Sequence, residues 1–357
     1  MVGYWTVSAQ RTSPERRSDE RPPSQRPRLL RVAIVLGVIA AALVAAGVIH
    51  GHLSRLTKSS VSGASSSPSS AGSVAAKSAA ATAIDPSYFA AGACMSFPPT
   101  SGDRHITVFL DAGHGGLDPG GVGETESGQQ IEESDINLPI ELDTMAVLRA
   151  QGFRVVVSRT GNTTVLKLGP GDTDGQLLSL QGSHDDVAAR DVCANKADAD
   201  LLVGIYMDAG GTPQNAGSVS TYDTDRPFSA ENLKLATLLQ DDVLSSMNAQ
   251  GWNIPDDGVV SDATEGSTVG NPAEGGLAAE SADYNHLLLL GPASPGYFST
   301  PSAMPGAVIE PLFLTDPFEG TIAASASDQK VIAQGIASAV EQYFSPASAS
   351  TSTSTTG

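Results

Sequence analysis

The run ITVFLDAGHGGLDPGGVG, from Ile106 to Gly123, decides how the rest of the chain is read. It opens as a short apolar segment of β-type residues and breaks into glycines, with one histidine, His114, among them. A strand that stops in a glycine turn sets the next side chain at its carboxyl end, where ligands gather in open α/β sheets. Glycines there let the backbone turn sharply and leave room beside the imidazole for a metal or a substrate.

Outward from this run, strands and helices alternate. INLPIELDTMAVLRAQG has helical spacing (Ile136, Ile140, Met145, Leu148) and a closing glycine, with Pro139 confined to its first two turns. FRVVVSR reads as a strand, HDDVAARDVCANKADA as a helix, DLLVGIYM and GSVSTY as strands, and ENLKLATLLQDDVLSSMNAQG as a long amphipathic helix. GAVIEPLF is a further strand, and SDQKVIAQGIASAVEQYF a closing helix with Ser327 as its N-cap. The pattern predicts an α/β fold with a central, mostly parallel, twisted sheet flanked by helices. His114, Tyr206 and Glu310 fall at carboxyl ends of strands. The stretches 161–184 and 256–291 read as insertion-like loops that either open or cover a cleft there.

The chain has 357 residues and a net charge of −19. Up to Lys58 there are 9 basic and 3 acidic residues, and the remainder holds 11 basic and 36 acidic ones. An acidic domain of that balance repels phosphates, which disfavours nucleic acid as a partner. The basic part precedes VAIVLGVIAAALVAAGVI, Val32 to Ile49, an uncharged run. As a helix it is roughly 27 Å long, close to the thickness of a bilayer core. The arginines before it predict a cytoplasmic N-terminus and an extracytoplasmic remainder, at the cell membrane; a cleaved signal peptide is the alternative. This divides the chain into a basic tail (1–31), a transmembrane anchor (32–52), a Ser/Ala/Gly-rich linker (53–84), one catalytic domain (85–345) and a polar tail expected to be disordered (346–357). Cys94 and Cys193 either bridge, as an oxidising compartment permits, or remain buried thiols.

No HExxH, Walker-type or GxSxG signature is present. FLDAGHGGLDPGGVG, followed by IEESDINLPIELDTMAVLRAQGFRVVVSRT, resembles the zinc-dependent N-acetylmuramoyl-L-alanine amidases of the Amidase_3 type. The resemblance rests on Asp111, Gly113, His114, Gly115, Gly116, Asp118, Gly120, Glu133, Asp135, Asn137, Leu138 and Arg159. ARDVCANKADADLLVGI and MPGAVIEPLFLTDPFE resemble two later motifs, so it runs from about Ile106 to Phe344. It implies hydrolysis of the amide joining N-acetylmuramic acid to the first L-alanine of the peptidoglycan stem. It also implies Zn2+ held by His114 and Glu133, with Glu310 as the base.

One departure stands out. Where the family has a second histidine, this chain reads GIYMDA, with Tyr206 at the ligand position and Asp208 two residues on. A catalytic zinc usually has three protein ligands. Tyr206 or Asp208 comes first as the third and His184 next, His286 also being able to fold back, and no third ligand is also open. Arg190 and Asn195 are expected to be structural, closing the second helix. The expected activity is that of a membrane-anchored amidase acting on peptidoglycan. The alternatives are a weak or inactive amidase fold that binds peptidoglycan or regulates a partner protein, and a metal-independent hydrolase.

Overall fold

The computed structural model describes residues 80–265 and 284–345. The expected anchor at 32–52, most of the linker and the tail at 346–357 lie outside the described residues. Among those residues, no helix is long and apolar enough to cross a membrane.

In chain order the elements are β1 (Thr82–Ala83), β2 (Ala93–Phe97), β3 (Thr107–Ala112), β4 (Val122–Glu124), β5 (Gln130–Glu132), α1 (Glu133–Ala150) and β6 (Arg154–Arg159). Next come β7 (Thr173–Asp174), β8 (Leu177–Leu178), α2 (Leu180–Lys196), β9 (Leu201–Ile205), β10 (Ser218–Tyr222) and α3 (Ser229–Asn248). Then follow β11 (Asp256–Ser261), α4 (Asp262–Glu265), β12 (Gly306–Glu310), α5 (Pro317–Ala323) and α6 (Ala326–Phe344).

Eight strands form one sheet in the order β1-β2-β6-β3-β9-β12-β10-β11. The central four, β6, β3, β9 and β12, are parallel. Both flanks turn antiparallel, at β2 against β6 and at β10 against β12. The sheet is therefore mixed, which corrects the mostly parallel expectation. On one flank the antiparallel strand β2 was missed, and on the other β10, read as a strand, runs against β12. ACMSF in β2 and DDGVVS in β11 carry no clean alternation, and they become strands by pairing with a neighbour. Part of the stretch at 256–291, expected as loop, thus joins the sheet.

Two apolar layers sandwich the sheet. On one face α1, α3 and α6 cover Val108, Leu110, Val155, Val203 and Ile309. On the other, α2 and the segment Leu287–Leu290 cover Phe109, Val156, Leu202 and Val308. Alternation along each strand assigns the two sets. Pro139 falls in the second turn of α1, where its missing N–H leaves one carbonyl without a helical donor. The closing helix starts after Ser325, not at Ser327, and no side chain caps it. Cys94 and Cys193 form a disulfide, which ties β2, next to the edge strand β1, to α2.

Register sets where the strands end. Val219 of β10 lies opposite Glu310, and Thr221 opposite Val308. β10 therefore ends where β12 begins. The carboxyl ends of β3, β6, β9 and β12 share one margin of the sheet, and those of β10 and β11 lie at the other.

Candidate active site

His114 follows β3 in a left-handed backbone conformation (φ 60°) that a non-glycine residue rarely takes. Its ring is held at both nitrogens. Nδ1 lies 2.8 Å from Asp118 Oδ2, and Nε2 lies 3.1 Å from Glu133 Oε2. Burial works against a charged imidazole, but the Glu133 and Asp118 carboxylates outweigh it and raise His114 well above its ordinary pKa. Two neighbours show why glycines surround it. A Cβ on Gly113 would meet the Tyr206 ring at 2.4 Å, and one on Gly120 would meet His114 Cδ2 at 2.6 Å and Glu133 Oε2 at 2.7 Å.

Glu133 opens α1 and is 3% exposed, so it is not a solvated helix start. Its Oε1 accepts from the Met207 backbone N–H (3.0 Å) and from Asn137 Nδ2 (3.1 Å). Its Oε2 accepts from the Gly121 N–H at 2.8 Å. Burial alone would favour the neutral acid. His114 and these N–H groups prevail and keep the carboxyl below its ordinary pKa.

Two buried arginines brace the turn from behind. Arg159 donates to the carbonyls of Ala112, Gly113, Ser134 and Gly161. Arg190 reaches from α2 to Asp111 Oδ1 (2.6 Å), to the Ala112 and His114 carbonyls (2.9 and 3.0 Å) and to Asp186 (2.9 Å). The expectation that Arg190 only closes its own helix is therefore corrected: it fixes the backbone of His114. The i,i+4 pair Asp186–Arg190 was the available sequence signal. Asn195 does hold structure, through Pro301 and Ala303.

Tyr206 follows β9 and packs edge-on to His114, with ring centroids 5.5 Å apart. Its hydroxyl donates to Asp111 Oδ2 at 3.0 Å. Burial first, then the Asp111 carboxylate, push the phenol well above its ordinary pKa, with Arg190 opposing. A zinc-bound tyrosine must be a phenolate. Here the Tyr206 hydroxyl is turned toward Asp111. Asp208 Oδ1 accepts from the Ala209 N–H at 2.7 Å, and its backbone pairs with Leu312 and Leu314. Glu310 ends β12 beside Tyr206, whose N–H bonds the Ile309 carbonyl at 3.1 Å.

The remaining histidines have other partners. His184 bonds Asp185 at 2.9 Å and stacks on Tyr297 and Phe298. His286 sits with Asp223 and Asp262, at the far margin of the sheet from His114. The stretch following β6 packs onto the glycine turn: Asn162 accepts from the Gly116 N–H at 2.7 Å, and Asp186 accepts from the Val165 and Leu166 N–H groups.

A family model described as N-acetylmuramoyl-L-alanine amidase matches residues 108–342, from β3 to the last helix. The chain belongs to the N-acetylmuramoyl-L-alanine amidase family. Its enzyme class is that of the family, a peptidoglycan amidase. The chain is 25% identical over 237 residues to a germination-specific N-acetylmuramoyl-L-alanine amidase of Bacillus subtilis, covering 66% of this chain and 79% of the relative. It is 25% identical over 243 residues to the amidase AmiA of Salmonella typhimurium, covering 66% and 75%. Among solved structures, the CwlD amidase from Clostridioides difficile in complex with the GerS lipoprotein aligns with a TM-score of 0.48 at 19% identity, covering 67% of this chain and 98% of that one.

Proposed function

We propose that this amidase cleaves the bond between N-acetylmuramic acid and the stem L-alanine with zinc held by His114 Nε2 and Glu133, and with Glu310 as the base. The observation that carries this reading is the 3.1 Å approach of His114 Nε2 to Glu133 Oε2, with Asp118 behind Nδ1. Two donors on one zinc at about 2.0–2.2 Å stand about 3.3 Å apart. A carboxylate behind the other imidazole nitrogen is the usual support of a zinc-bound histidine. The donor pair therefore fits zinc.

When bound, zinc would supply a Lewis acid that polarises the scissile carbonyl and lowers the pKa of a water. The chain's own residues do the rest. Asp118 fixes the imidazole tautomer and its orientation. The Gly121 and Met207 N–H groups and Asn137 hold Glu133 ionised and in place. Arg159 and Arg190 keep the turn from collapsing. Glu310 takes the proton of the attacking water and returns it to the leaving nitrogen. Beside Gly121 opens a groove of about 540 Å³, lined by Val122, Gly123, Gln130, Thr212 and Thr315 among others, with room for a glycopeptide. With the Tyr206 hydroxyl engaged by Asp111, Asp208 is the remaining candidate for a third protein donor. The apolar run at Val32–Ile49 and the linker after it support a domain outside the cell membrane, tethered within reach of the wall.

The test is amidase activity of the full chain on isolated peptidoglycan, with a chelator and with zinc restored. Activity should require zinc and fall about 10²–10⁴-fold in Glu310→Gln. An unchanged rate in Glu310→Gln, or in His114→Ala, would overturn the assignment.

A further inference from the structure

A second set of ligand-type side chains meets at the opposite margin of the sheet. Asp223 is the first residue after β10, and Asp262 the first after β11. The register pairs Tyr222 with Ser261, so the topology itself sets the two carboxylates side by side. His286 joins them from the chain beyond. Both aspartate side chains are 0% exposed, and that of His286 is 15% exposed. One donor atom from each residue lies within 4.8 Å of the others.

The contacts are close, and they leave polar atoms over. His286 Nδ1 is 2.7 Å from Asp223 Oδ2 and 3.4 Å from Asp262 Oδ2. Yet His286 Nδ1, Asp223 Oδ2 and Asp262 Oδ1 are all buried without a hydrogen-bond partner. The other oxygens are fixed by backbone: Asp223 Oδ1 accepts from the Asp225 N–H (2.6 Å), and Asp262 Oδ2 from the Leu287 N–H (3.1 Å). Among the described residues no lysine or arginine forms an ion pair with either carboxylate, and Arg226 nearby donates to the Leu290, Gly291 and Ser302 carbonyls. Two buried carboxylates facing one imidazole, with oxygens left over, are costly unless a cation or a shared proton joins them. Asp225 Oδ2 lies 3.8 Å behind Nε2, on the outer side of the ring.

We propose that Asp223, Asp262 and His286 form a second divalent-metal site, separate from the His114–Glu133 pair. Two carboxylate oxygens and one imidazole nitrogen suit Zn2+ or Mn2+, and the exposed edge of His286 leaves a side for water ligands. The metal fastens the end of β11 to the segment Leu287–Leu290. That segment packs under the catalytic margin: a Cβ on Gly204 would meet Leu289 Cδ2 at 3.0 Å and the Tyr206 ring at 3.4 Å. The site is thus a clip that steadies the floor beneath Tyr206.

The test uses the full chain, stripped with a chelator and titrated with Zn2+ and, separately, Mn2+, reading bound metal and Tm. His114→Ala should still bind one equivalent and keep a metal-dependent rise in Tm. His286→Gln and Asp262→Asn should each lose that equivalent and that rise, and His286→Cys, which restores a zinc donor, should regain them. A His286→Gln chain with native metal content and native Tm response would overturn the proposal. So would a His114→Ala chain that binds no metal. Bound metal and Tm of the His114→Ala chain report on this site without the His114 pair, so failure of either assignment is read separately.

Discussion

Tyr206 and Arg190 share one carboxylate: the phenol donates to Asp111 Oδ2 at 3.0 Å while the guanidinium holds Oδ1 at 2.6 Å. With the hydroxyl committed this way, Tyr206→Phe should leave the zinc content of the His114 pair unchanged. It should cost about 1–3 kcal/mol in urea unfolding, the penalty for an orphaned buried acceptor. Loss of zinc in this variant would make the phenol a ligand after all.

Arg190 is fully buried against Asp111 and Asp186 and also holds the His114 carbonyl. Truncating one partner of a buried ion pair strands the other. Arg190→Ala should destabilise the domain by about 3–5 kcal/mol. Arg190→Lys should recover only part of this, since an ammonium lacks the planar fork that serves several acceptors at once. Equilibrium unfolding of the three chains ranks them.

Gly113 is required by its neighbour more than by its own backbone. An added methyl would press on the Tyr206 ring at 2.4 Å. Gly113→Ala should therefore cost about 1–3 kcal/mol through overpacking, and much less in a Tyr206→Ser background. Equal costs in the two backgrounds, measured as a double-mutant cycle, would place the strain elsewhere.

Glu319 gives a pH signature away from the metal ligands. Burial pushes its carboxyl up to about 7, with Asp316 and Asp257 adding to the rise and the Phe313 and Gly217 N–H groups opposing it. The folded pKa lies above the unfolded one, so the folded state binds the extra proton. This contribution to stability is fully present below about 4.5 and fades as pH climbs toward about 7. Glu319→Gln should flatten that part of the stability profile. A slope that persists unchanged in the variant would assign it to another group.

Reduction of the Cys94–Cys193 bridge frees a loop with a sequence separation of 99. The loss should be about 2–5 kcal/mol, read as a lower urea midpoint in reductant. No change would mean that β2 is held by its pairing with β6 alone.

Much of this architecture was legible along the chain, because the central strands carry their signal locally. Phe109, Val155, Leu202 and Ile309 sit in runs that stop at a turn, and each is buried as the pattern requires. β2 and β11 were not legible, since a short polar-flecked segment becomes a strand only when a distant partner offers its edge. At the site, the resemblance named His114 and Glu133, and the structure brings them into contact. What Tyr206 does could not be read from position alone. Its neighbours on the chain are silent about Asp111, which lies one strand away, and that carboxylate decides whether the phenol ligates or donates. Arg190 was misjudged for the same reason: its acceptors belong to β3 and the turn beyond it.

The reversed β10–β11 pair has a practical corollary for engineering. Chain leaving at Asp262 and returning by His286 enters and exits on the side of the domain away from the histidine turn. A reporter or affinity module joined at those two points would attach at the margin opposite His114, whereas one joined after β9 or β12 would attach beside it.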